Sequence, residues 1–371
     1  MDRQVAHPNW IEIDLDQFKK NIAIIRSAIG ESKYCLPVKA NAYGHGLIPI
    51  AQAAVSAGVD YLSVAHVSEA VQLRQAGISI PIFVMGAIHQ EQIQDLLDYD
   101  LEISVSSIFK AELLSKICKE QGRTCKVHLE IDTGMQRTGV RPSSAINLLE
   151  VVKSLGCFVI KGVYSHLATA DKPHDLFAKQ QIKEFKALLS TELFSSLECI
   201  AHIANSGGVQ FYPESYLSMV RPSLLSFGYK HPDSPVCFEG IKPCFSLKSK
   251  ISYFKVVQKG HGISYGHTYI TEKDTRIVTV PIGYGDGLRR SLAGKLFCLI
   301  RGKKFPVVGA ICMDQCMVDV GDHEVFVGDE VVFIGKQHQQ TIHAAEMADA
   351  CNTIVYEIFC LFNERIPRTY K

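Results

Sequence analysis

A lysine at the end of the first predicted barrel strand offers an amine for covalent chemistry. Residues 37–46 read PVKANAYGHG, and Lys39 follows an apolar run. Burying an ammonium group without a partner is costly, so its side chain must either be neutralised or reach water. One interpretation is therefore an amine with a lowered pKa that forms a Schiff base. The other is a lysine at the mouth of the strand that reaches solvent.

Polar residues also follow later predicted strands. The groups at these ends are Glu130, Asp132 and Arg137 after the fifth strand, His166 after the sixth, Asn205 and Ser206 after the seventh, and Arg221 and Ser223 after the eighth. In a (β/α)8 barrel, the C-terminal ends of the strands form one rim, which carries the chemistry. Small-residue turns after the last two strands often bind phosphate there. Each residue alone could be structural, but together they predict a site.

The elements that position these residues alternate between short apolar runs and amphipathic segments. Candidate strands are Tyr34–Ala40, Asp60–Ala65, Pro81–Met85, Leu101–Val105, Lys126–Asp132, Val159–Ser165, Cys199–Ala204 and Ser218–Arg221. Helical spacing of apolar residues lies between them, for example in Ser68–Ala76 and Ile108–Glu120. This alternation favours a (β/α)8 TIM barrel, although an open doubly wound sheet has the same local pattern.

The pattern changes after residue 237. Short strands are predicted within Phe245–Val257, Arg276–Ile282, Lys295–Arg301 and Glu330–Ile334, separated by Gly-rich turns, with one late helix near His343–Ala350. At the other end of the chain, Trp10–Asp14 predicts a strand and Leu15–Ile29 a helix. We therefore expect a barrel over residues 1–237, whose first strand could pack with the β domain, and a mostly antiparallel β domain over residues 238–371.

The lysine run and several further blocks resemble the bacterial alanine racemases, the barrel-type (fold type III) pyridoxal-phosphate enzymes. The blocks are DTGMQR at 132–137, YSH at 164–166, ANS at 204–206, SYG at 264–266, PIGY at 281–284, CMDQ at 312–315, YE at 356–357 and IPR at 366–368. They occur in the family's order and cover nearly the whole chain, which makes the resemblance specific.

The resemblance implies a racemase that interconverts L-alanine and D-alanine with two bases. Pyridoxal 5'-phosphate would serve as the electron sink, because the Cα–H of a free amino acid is too weak an acid. Lys39 would hold the cofactor and act as the base on the D face, and Tyr265 would act on the L face. Because a tyrosine has an ordinary pKa of about 10, Tyr265 needs a cationic neighbour. Arg137 is the family's candidate, and it would also bind the substrate carboxylate.

The resemblance also implies how the cofactor is held. Arg221 would face the pyridine nitrogen and leave it unprotonated, because a guanidinium cannot act as a proton donor there. His166 would lie at the ring and orient Arg221. The remaining implied cofactor contacts are the hydroxyls of Tyr43, Ser206 and Tyr356, the backbone N–H groups of Ser223 and Leu224, and Asn205.

Two implied site residues belong to the second domain. Tyr265 and the backbone N–H of Met313, with Asp314 in support, would complete the pocket. In this family the partner subunit of a head-to-tail homodimer supplies them.

Three positions depart from the family's pattern. Glu130 stands where many members carry a carboxylated lysine, and our hypothesis is that its carboxylate fixes Arg137 directly. The alternative is an ordinary rim carboxylate. Ser223 replaces a glycine of the phosphate turn, where a backbone donor can survive. Ala310 replaces an arginine, which removes a positive charge from the channel by which substrate would approach.

Composition narrows the class of protein. The 371 residues carry a net charge of +1, which gives no support for nucleic-acid binding. The chain shows neither a signal core nor a membrane-length apolar run, so we expect a cytoplasmic protein. Its 12 cysteines form no C-x-x-C pair and predict buried or idle thiols rather than a metal site.

Three other functions are alternatives to an alanine racemase. One is a racemase for serine or basic amino acids, and another is a non-catalytic pyridoxal-phosphate carrier. The third is a related decarboxylase, which lacks support because the sequence has no Gly-Gly-Gly turn.

Overall fold

The computed structural model describes residues 7–371, which form two compact units. One unit comprises residues 16–42 and 47–243, and the other comprises residues 7–15, 43–46 and 244–371. The domain boundary predicted between residues 237 and 238 stays a prediction, because compactness alone does not establish that a part folds independently.

The first unit is a closed barrel of eight parallel strands. In chain order after β1 (Trp10–Ile13), these strands are β2 (Lys33–Pro37), β3 (Tyr61–Val64), β4 (Ile82–Val84), β5 (Glu102–Val105), β6 (Cys125–Glu130), β7 (Phe158–Tyr164), β8 (Ile200–His202) and β9 (Met219–Val220). The first and last strands of the barrel pair through Lys33 with Met219 and Tyr34 with Val220. The predicted barrel is therefore confirmed, and the open doubly wound sheet is wrong.

Amphipathic helices accompany these strands. Their bounds are Leu15–Ile29, Leu47–Ser56, Val67–Gln75, Ile93–Asp98, Ile108–Glu120, Ala145–Leu155, Leu176–Leu189, Glu192–Ser195 and Ser206–Phe211. The helix Ile108–Glu120 shows why they form: the Ser107 hydroxyl accepts a hydrogen bond from Lys110 N–H and caps the first turn. Ala111, Leu114 and Cys118 recur at helical spacing on its buried face. Burying a leucine such as Leu114 contributes about 1.5–3 kcal/mol, so a charge at this position would break the packing.

The second unit is built on a ten-stranded sheet. Its further strands, together with a separate hairpin of β12 and β13, are β10 (Phe245–Lys250), β11 (Tyr253–Val257), β12 (Gly262–Ile263), β13 (Tyr269–Ile270), β14 (Thr275–Val280), β15 (Phe297–Ile300), β16 (Lys303–Val308), β17 (Cys316–Gly321), β18 (Glu330–Gln337), β19 (Gln340–Ile342) and β20 (Arg368–Tyr370). The sheet order is β11-β14-β17-β16-β15-β18-β10-β1-β20, with β19 on β18. Burial alternates along β17, as expected for a sheet with one face packed.

The mostly antiparallel character of this sheet is confirmed. The one parallel pair in its order joins β1 to β20, while β1 pairs with β10 in the antiparallel sense. The expectation of a single late helix is wrong, because Val355–Leu361 follows Ala344–Ala350 as a second helix. The helix Val355–Leu361 is too short to show the periodicity that distinguishes a helix from a buried strand. In the described part of the chain, no helix combines the length and apolar character needed to cross a membrane.

Candidate active site

The chain turns sharply where Lys39 leaves the barrel wall. Strand β2 ends at Pro37, and the residues from Ala40 to Tyr43 all have positive φ, between 52° and 55°. Left-handed backbone costs roughly 1–2 kcal/mol for each residue other than glycine, so surrounding contacts must hold it. Ala40 N–H donates to Glu69 Oε1 at 2.7 Å, and Asn41 Oδ1 accepts from Leu47 N–H at 2.7 Å. The turn therefore fixes the backbone of Lys39 at the C-terminal rim of the barrel.

Arg221 lies directly after β9 and is only 3% exposed. Its guanidinium donates from Nη1 to His202 Nδ1 at 2.6 Å and from Nη2 to the Ser165 carbonyl at 2.7 Å. A longer contact of 3.4 Å joins Nη2 to His166 Nδ1. These partners are neutral acceptors, so a buried positive charge is held in one orientation on the barrel rim.

The ring of His166 experiences the positive charge of three predicted site residues. Burial, followed by the positive charges of Arg221, Arg137 and Lys39, lowers the pKa of His166 to about 3. The imidazole is therefore neutral at physiological pH. The positive charges of three side chains that are far apart in the sequence thus act on one neutral ring, which makes this part of the rim electropositive and suited to an anionic ligand.

The hydroxyls of Ser206 and Ser223 lie next to each other in the small-residue turns that follow β8 and β9. Ser206 Oγ and Ser223 Oγ lie 3.3 Å apart, and Ser206 Oγ also accepts the Ser223 N–H at 2.8 Å. The Ser223 N–H predicted to bind phosphate is thus already engaged by Ser206. Asn205 caps the following short helix, because its Oδ1 accepts Gly208 N–H at 3.0 Å while its Nδ2 donates to the Leu167 carbonyl. Leu224, which follows Ser223 in the chain, is buried.

The predicted direct contact between Glu130 and Arg137 is wrong. Glu130 Oε1 accepts from Thr138 Oγ1 at 2.6 Å and Oε2 accepts from Ser104 Oγ at 3.0 Å. The carboxylate is buried and both oxygens are satisfied by hydroxyls, whereas the Arg137 side chain is exposed. Glu130 therefore anchors the loop at the residue next to Arg137 instead of pairing with the guanidinium.

In the second unit, the predicted base stands on a strained turn. Tyr265 is 71% exposed, and it lies between Ser264, with φ of 64°, and Gly266, with φ of 73°. Ser264 Oγ donates to the Ala310 carbonyl at 2.7 Å, which holds this turn. The phenol is therefore open to solvent on a turn that this hydrogen bond holds.

A short loop presents Met313 in the same unit. The Met313 carbonyl accepts Gly285 N–H at 2.8 Å, and its side chain is 54% exposed. Asp314 accepts from Arg365 Nη2 at 2.8 Å, and Arg365 also reaches Asp286 at 3.4 Å. Asp314 thus ties the loop to Arg365, which sequence reasoning missed.

The two remaining phenols are neighbours. The Tyr43 and Tyr356 rings have centroids 5.8 Å apart in this second unit. Both are predicted to bind phosphate, and the structure places their rings side by side.

Comparison with known proteins decides the family. The family models described as "Alanine racemase, N-terminal domain" and "Alanine racemase, C-terminal domain" match residues 13–231 and 244–370. An alanine racemase of Halothermothrix orenii is 39% identical over 374 residues, covering 100% of this chain and 99% of the relative. The chain belongs to the alanine racemase family. The resemblance drawn from the sequence blocks is thereby confirmed.

Solved structures agree with this membership of the alanine racemase family. The alanine racemase of Clostridium difficile 630 has a TM-score of 0.93 at 34% identity, covering 99% of this chain and 97% of that chain. The alanine racemase of Bacillus anthracis with bound L-Ala-P has a TM-score of 0.92 at 33% identity, covering 100% and 96%. The roles of individual residues stay predictions, because a shared fold does not by itself assign a role to a side chain.

Proposed function

We propose that this protein is a cytoplasmic, pyridoxal-phosphate-dependent racemase that interconverts L-alanine and D-alanine and supplies D-alanine for peptidoglycan. The observation that carries this proposal is the buried guanidinium of Arg221, held by His202 and the Ser165 carbonyl on the barrel rim that also carries Lys39. Family membership supports the same activity.

The residues present fit the cofactor. A buried guanidinium with neutral partners, as in Arg221, suits the acceptor nitrogen of a pyridine ring. The Ser206 and Ser223 hydroxyls suit a phosphate. The phenols of Tyr43 and Tyr356, which are neighbours in the second unit, stay the phosphate contacts that the family resemblance implies. When bound through the Lys39 amine, pyridoxal phosphate supplies an electron sink that acidifies the Cα proton of the amino acid.

The side chains of the protein then remove a proton from one face of the substrate and return a different proton to the other face. Lys39 takes or returns the Cα proton on the D face, and Tyr265 does so on the L face. Arg137 binds the substrate carboxylate and supplies a positive charge to the pocket in which Tyr265 acts. Two bases on opposite faces allow the proton to leave one side and another to return on the other, which inverts the centre.

We further propose a head-to-tail homodimer in which Tyr265 and Met313 of one copy serve the barrel of the other. The exposure of both side chains supports this arrangement, since a base that acts on a small substrate must be covered from water when it works.

The deciding experiment follows optical activity and isotope exchange. Purified protein with pyridoxal phosphate is incubated with L-alanine in D₂O, and we expect racemic alanine carrying deuterium at Cα. Parallel incubations with L-serine, L-lysine and L-arginine test a broader racemase, and release of carbon dioxide tests a decarboxylase. Retention of L-alanine without Cα exchange would mean that the protein only carries the cofactor. Growth of a D-alanine auxotroph without added D-alanine tests the cellular role.

A further inference from the structure

Four buried side chains form an unbroken hydrogen-bonded chain inside the barrel. Glu102 Oε2 lies 2.7 Å from His128 Nε2, and His128 Nδ1 lies 2.9 Å from His202 Nε2. His202 Nδ1 then lies 2.6 Å from Arg221 Nη1. Glu102 is 3% exposed and both histidines are 0% exposed, so water does not interrupt the chain.

The chemistry of the groups allows one direction for every proton. A guanidinium only donates, so His202 Nδ1 accepts and its proton must be on Nε2. That N–H donates to His128 Nδ1, which places the His128 proton on Nε2, where it donates to Glu102. A buried carboxylate thus faces a buried guanidinium through two neutral rings.

The surroundings keep both rings neutral. Burial lowers the pKa of His202, and the positive charge of Arg221 lowers it further. Burial also lowers the pKa of His128, with Arg221 and Lys161 acting in the same direction and Glu102 opposing them. Neither imidazole therefore gains a second proton that would break the order of donors and acceptors.

Packing fixes the rings in place. The Phe83 ring stacks on His128 at 4.2 Å, and the Tyr164 ring stacks on His202 at 5.1 Å with 7° between their planes. The strand register shifts between Val127 and His128, where β6 meets Gly162 of β7. A Cβ at Gly162 would collide with His128 Nδ1, so this position requires glycine.

We infer that Glu102 is a positioning residue, which acts through His128 and His202 to fix the orientation of Arg221 toward the cofactor ring. This inference rests on the proposed function for the identity of the ring. Glu102 lies three side chains away from Arg221 in this hydrogen-bonded chain. The inference is that its carboxylate nevertheless controls Arg221, the one cation expected to face the pyridine nitrogen. If this relay of Glu102, His128, His202 and Arg221 were broken, Arg221 Nη1 would lose its fixed acceptor on His202, and only the contact of Nη2 with the Ser165 carbonyl would orient the guanidinium. A pyridine nitrogen facing Arg221 would then be less protected from protonation.

The test compares two variants of Glu102. Glu102→Gln keeps an oxygen that accepts from His128, whereas Glu102→Leu removes the acceptor. Glu150→Leu, which replaces an exposed carboxylate of the same barrel, is the control. In each variant we measure the amount of pyridoxamine phosphate formed per D-alanine formed. This ratio reports how often the proton is returned to the cofactor carbon instead of the Cα of the amino acid. We expect this ratio to rise about tenfold in Glu102→Leu and to change little in Glu102→Gln or the control.

A second readout needs neither cofactor nor turnover. Nitrogen-15 spectra of cofactor-free wild-type protein should show His128 and His202 as neutral Nε2–H tautomers from pH 6 to pH 9. In Glu102→Leu, the His128 signals should move toward a mixture of tautomers. A cationic or Nδ1–H ring in the wild type would overturn the inference, as would an unchanged side-reaction ratio in a folded Glu102→Leu. If Glu102→Leu does not fold, the wild-type tautomers and the Gln variant decide. Failure of the wild type to racemise alanine would overturn the proposed function and leave the tautomer result intact.

Discussion

Thr138 Oγ1 donates to Glu130 Oε1 across 2.6 Å, one residue from Arg137. Backbone hydrogen bonds close the same loop, since Asp132 N–H donates to the Val140 carbonyl at 2.7 Å and Val140 N–H donates to the Glu130 carbonyl at 3.0 Å. The loop that carries Arg137 is therefore anchored at its base by backbone and at Thr138 by a buried carboxylate.

Thr138→Val should loosen this loop and weaken substrate binding. The substitution leaves one oxygen of a buried carboxylate without its donor, which costs about 1–3 kcal/mol. We expect KM for alanine to rise by about tenfold and kcat to fall less, because Arg137 binds the carboxylate in the ground state as well as later. Steady-state kinetics in both directions measure the effect.

Thr138→Ser is the matched control for this prediction. It keeps the hydroxyl and removes only a methyl group, so KM should stay close to that of the wild type. A similar rise in KM for both variants would show that the methyl contact, and not the hydrogen bond to Glu130, holds the loop.

Stability should fall as the pH drops below the ordinary histidine pKa of about 6.5. His128 and His202 are fully buried, and burial lowers the pKa of each. In this range the unfolded chain binds protons that the folded protein does not, so acid favours unfolding. The slope should reach about 1.4 kcal/mol per pH unit for each such histidine.

Urea unfolding of the cofactor-free protein at pH 5, 6, 7 and 8 measures this dependence. Above pH 7 the contribution of these histidines should be constant, since both states are then neutral. His174→Gln, at a loop position outside the relay, should leave the slope unchanged. Equal stability at pH 5 and pH 7 would contradict the buried, neutral assignment.

The barrel was predictable because its strands are short apolar runs separated by helical periodicity. The helix Ile108–Glu120 has the predicted bounds, and so does Leu15–Ile29. The relay was not predictable, because its members come from different strands and meet only when the barrel closes. The available signal was the spacing of polar residues along two strands, because residues two apart share one face of a strand. These residues are Glu102 and Ser104 in β5, and His128 and Glu130 in β6.

The orientation of Glu130 shows the same limit at the site. Spacing along a strand predicts that its side chain shares a face with Asp132, but it does not say which hydroxyls lie opposite. Ser104 comes from the neighbouring strand and Thr138 from the loop, and together they take both carboxylate oxygens. Only the barrel register brings Ser104 next to this strand, where it pairs with His128.

Lys39→Ala should abolish racemisation in both directions. It removes the amine proposed to hold the cofactor and to act on the D face, so the visible absorbance of the bound cofactor should be lost as well. Lys33→Ala changes an exposed lysine at the opposite end of β2 and serves as the control, with both properties retained. Activity of Lys39→Ala above one part in a hundred of wild type would remove Lys39 from the proposed mechanism, since general-base loss alone costs about 10²–10⁴-fold.

Tyr265→Phe should act unequally on the two enantiomers. The phenol is the proposed base on the L face, so Cα exchange of L-alanine in D₂O should fall by about 10²–10⁴-fold. Exchange of D-alanine through Lys39 should fall less. Tyr253→Phe removes another exposed phenol of the same unit and should leave both rates unchanged. Equal losses for both enantiomers would contradict the assignment of faces.

Mixing two inactive variants should restore activity if the site is shared between copies. In a hybrid of Lys39→Ala and Tyr265→Phe chains, one site carries both changes and the other carries neither. Random exchange of subunits makes half of the dimers hybrids, so the mixture should recover about one quarter of the wild-type activity. If each site drew Lys39 and Tyr265 from the same chain, every site in the hybrid would carry one change. Recovery would then be absent, and light scattering would show whether a dimer forms at all.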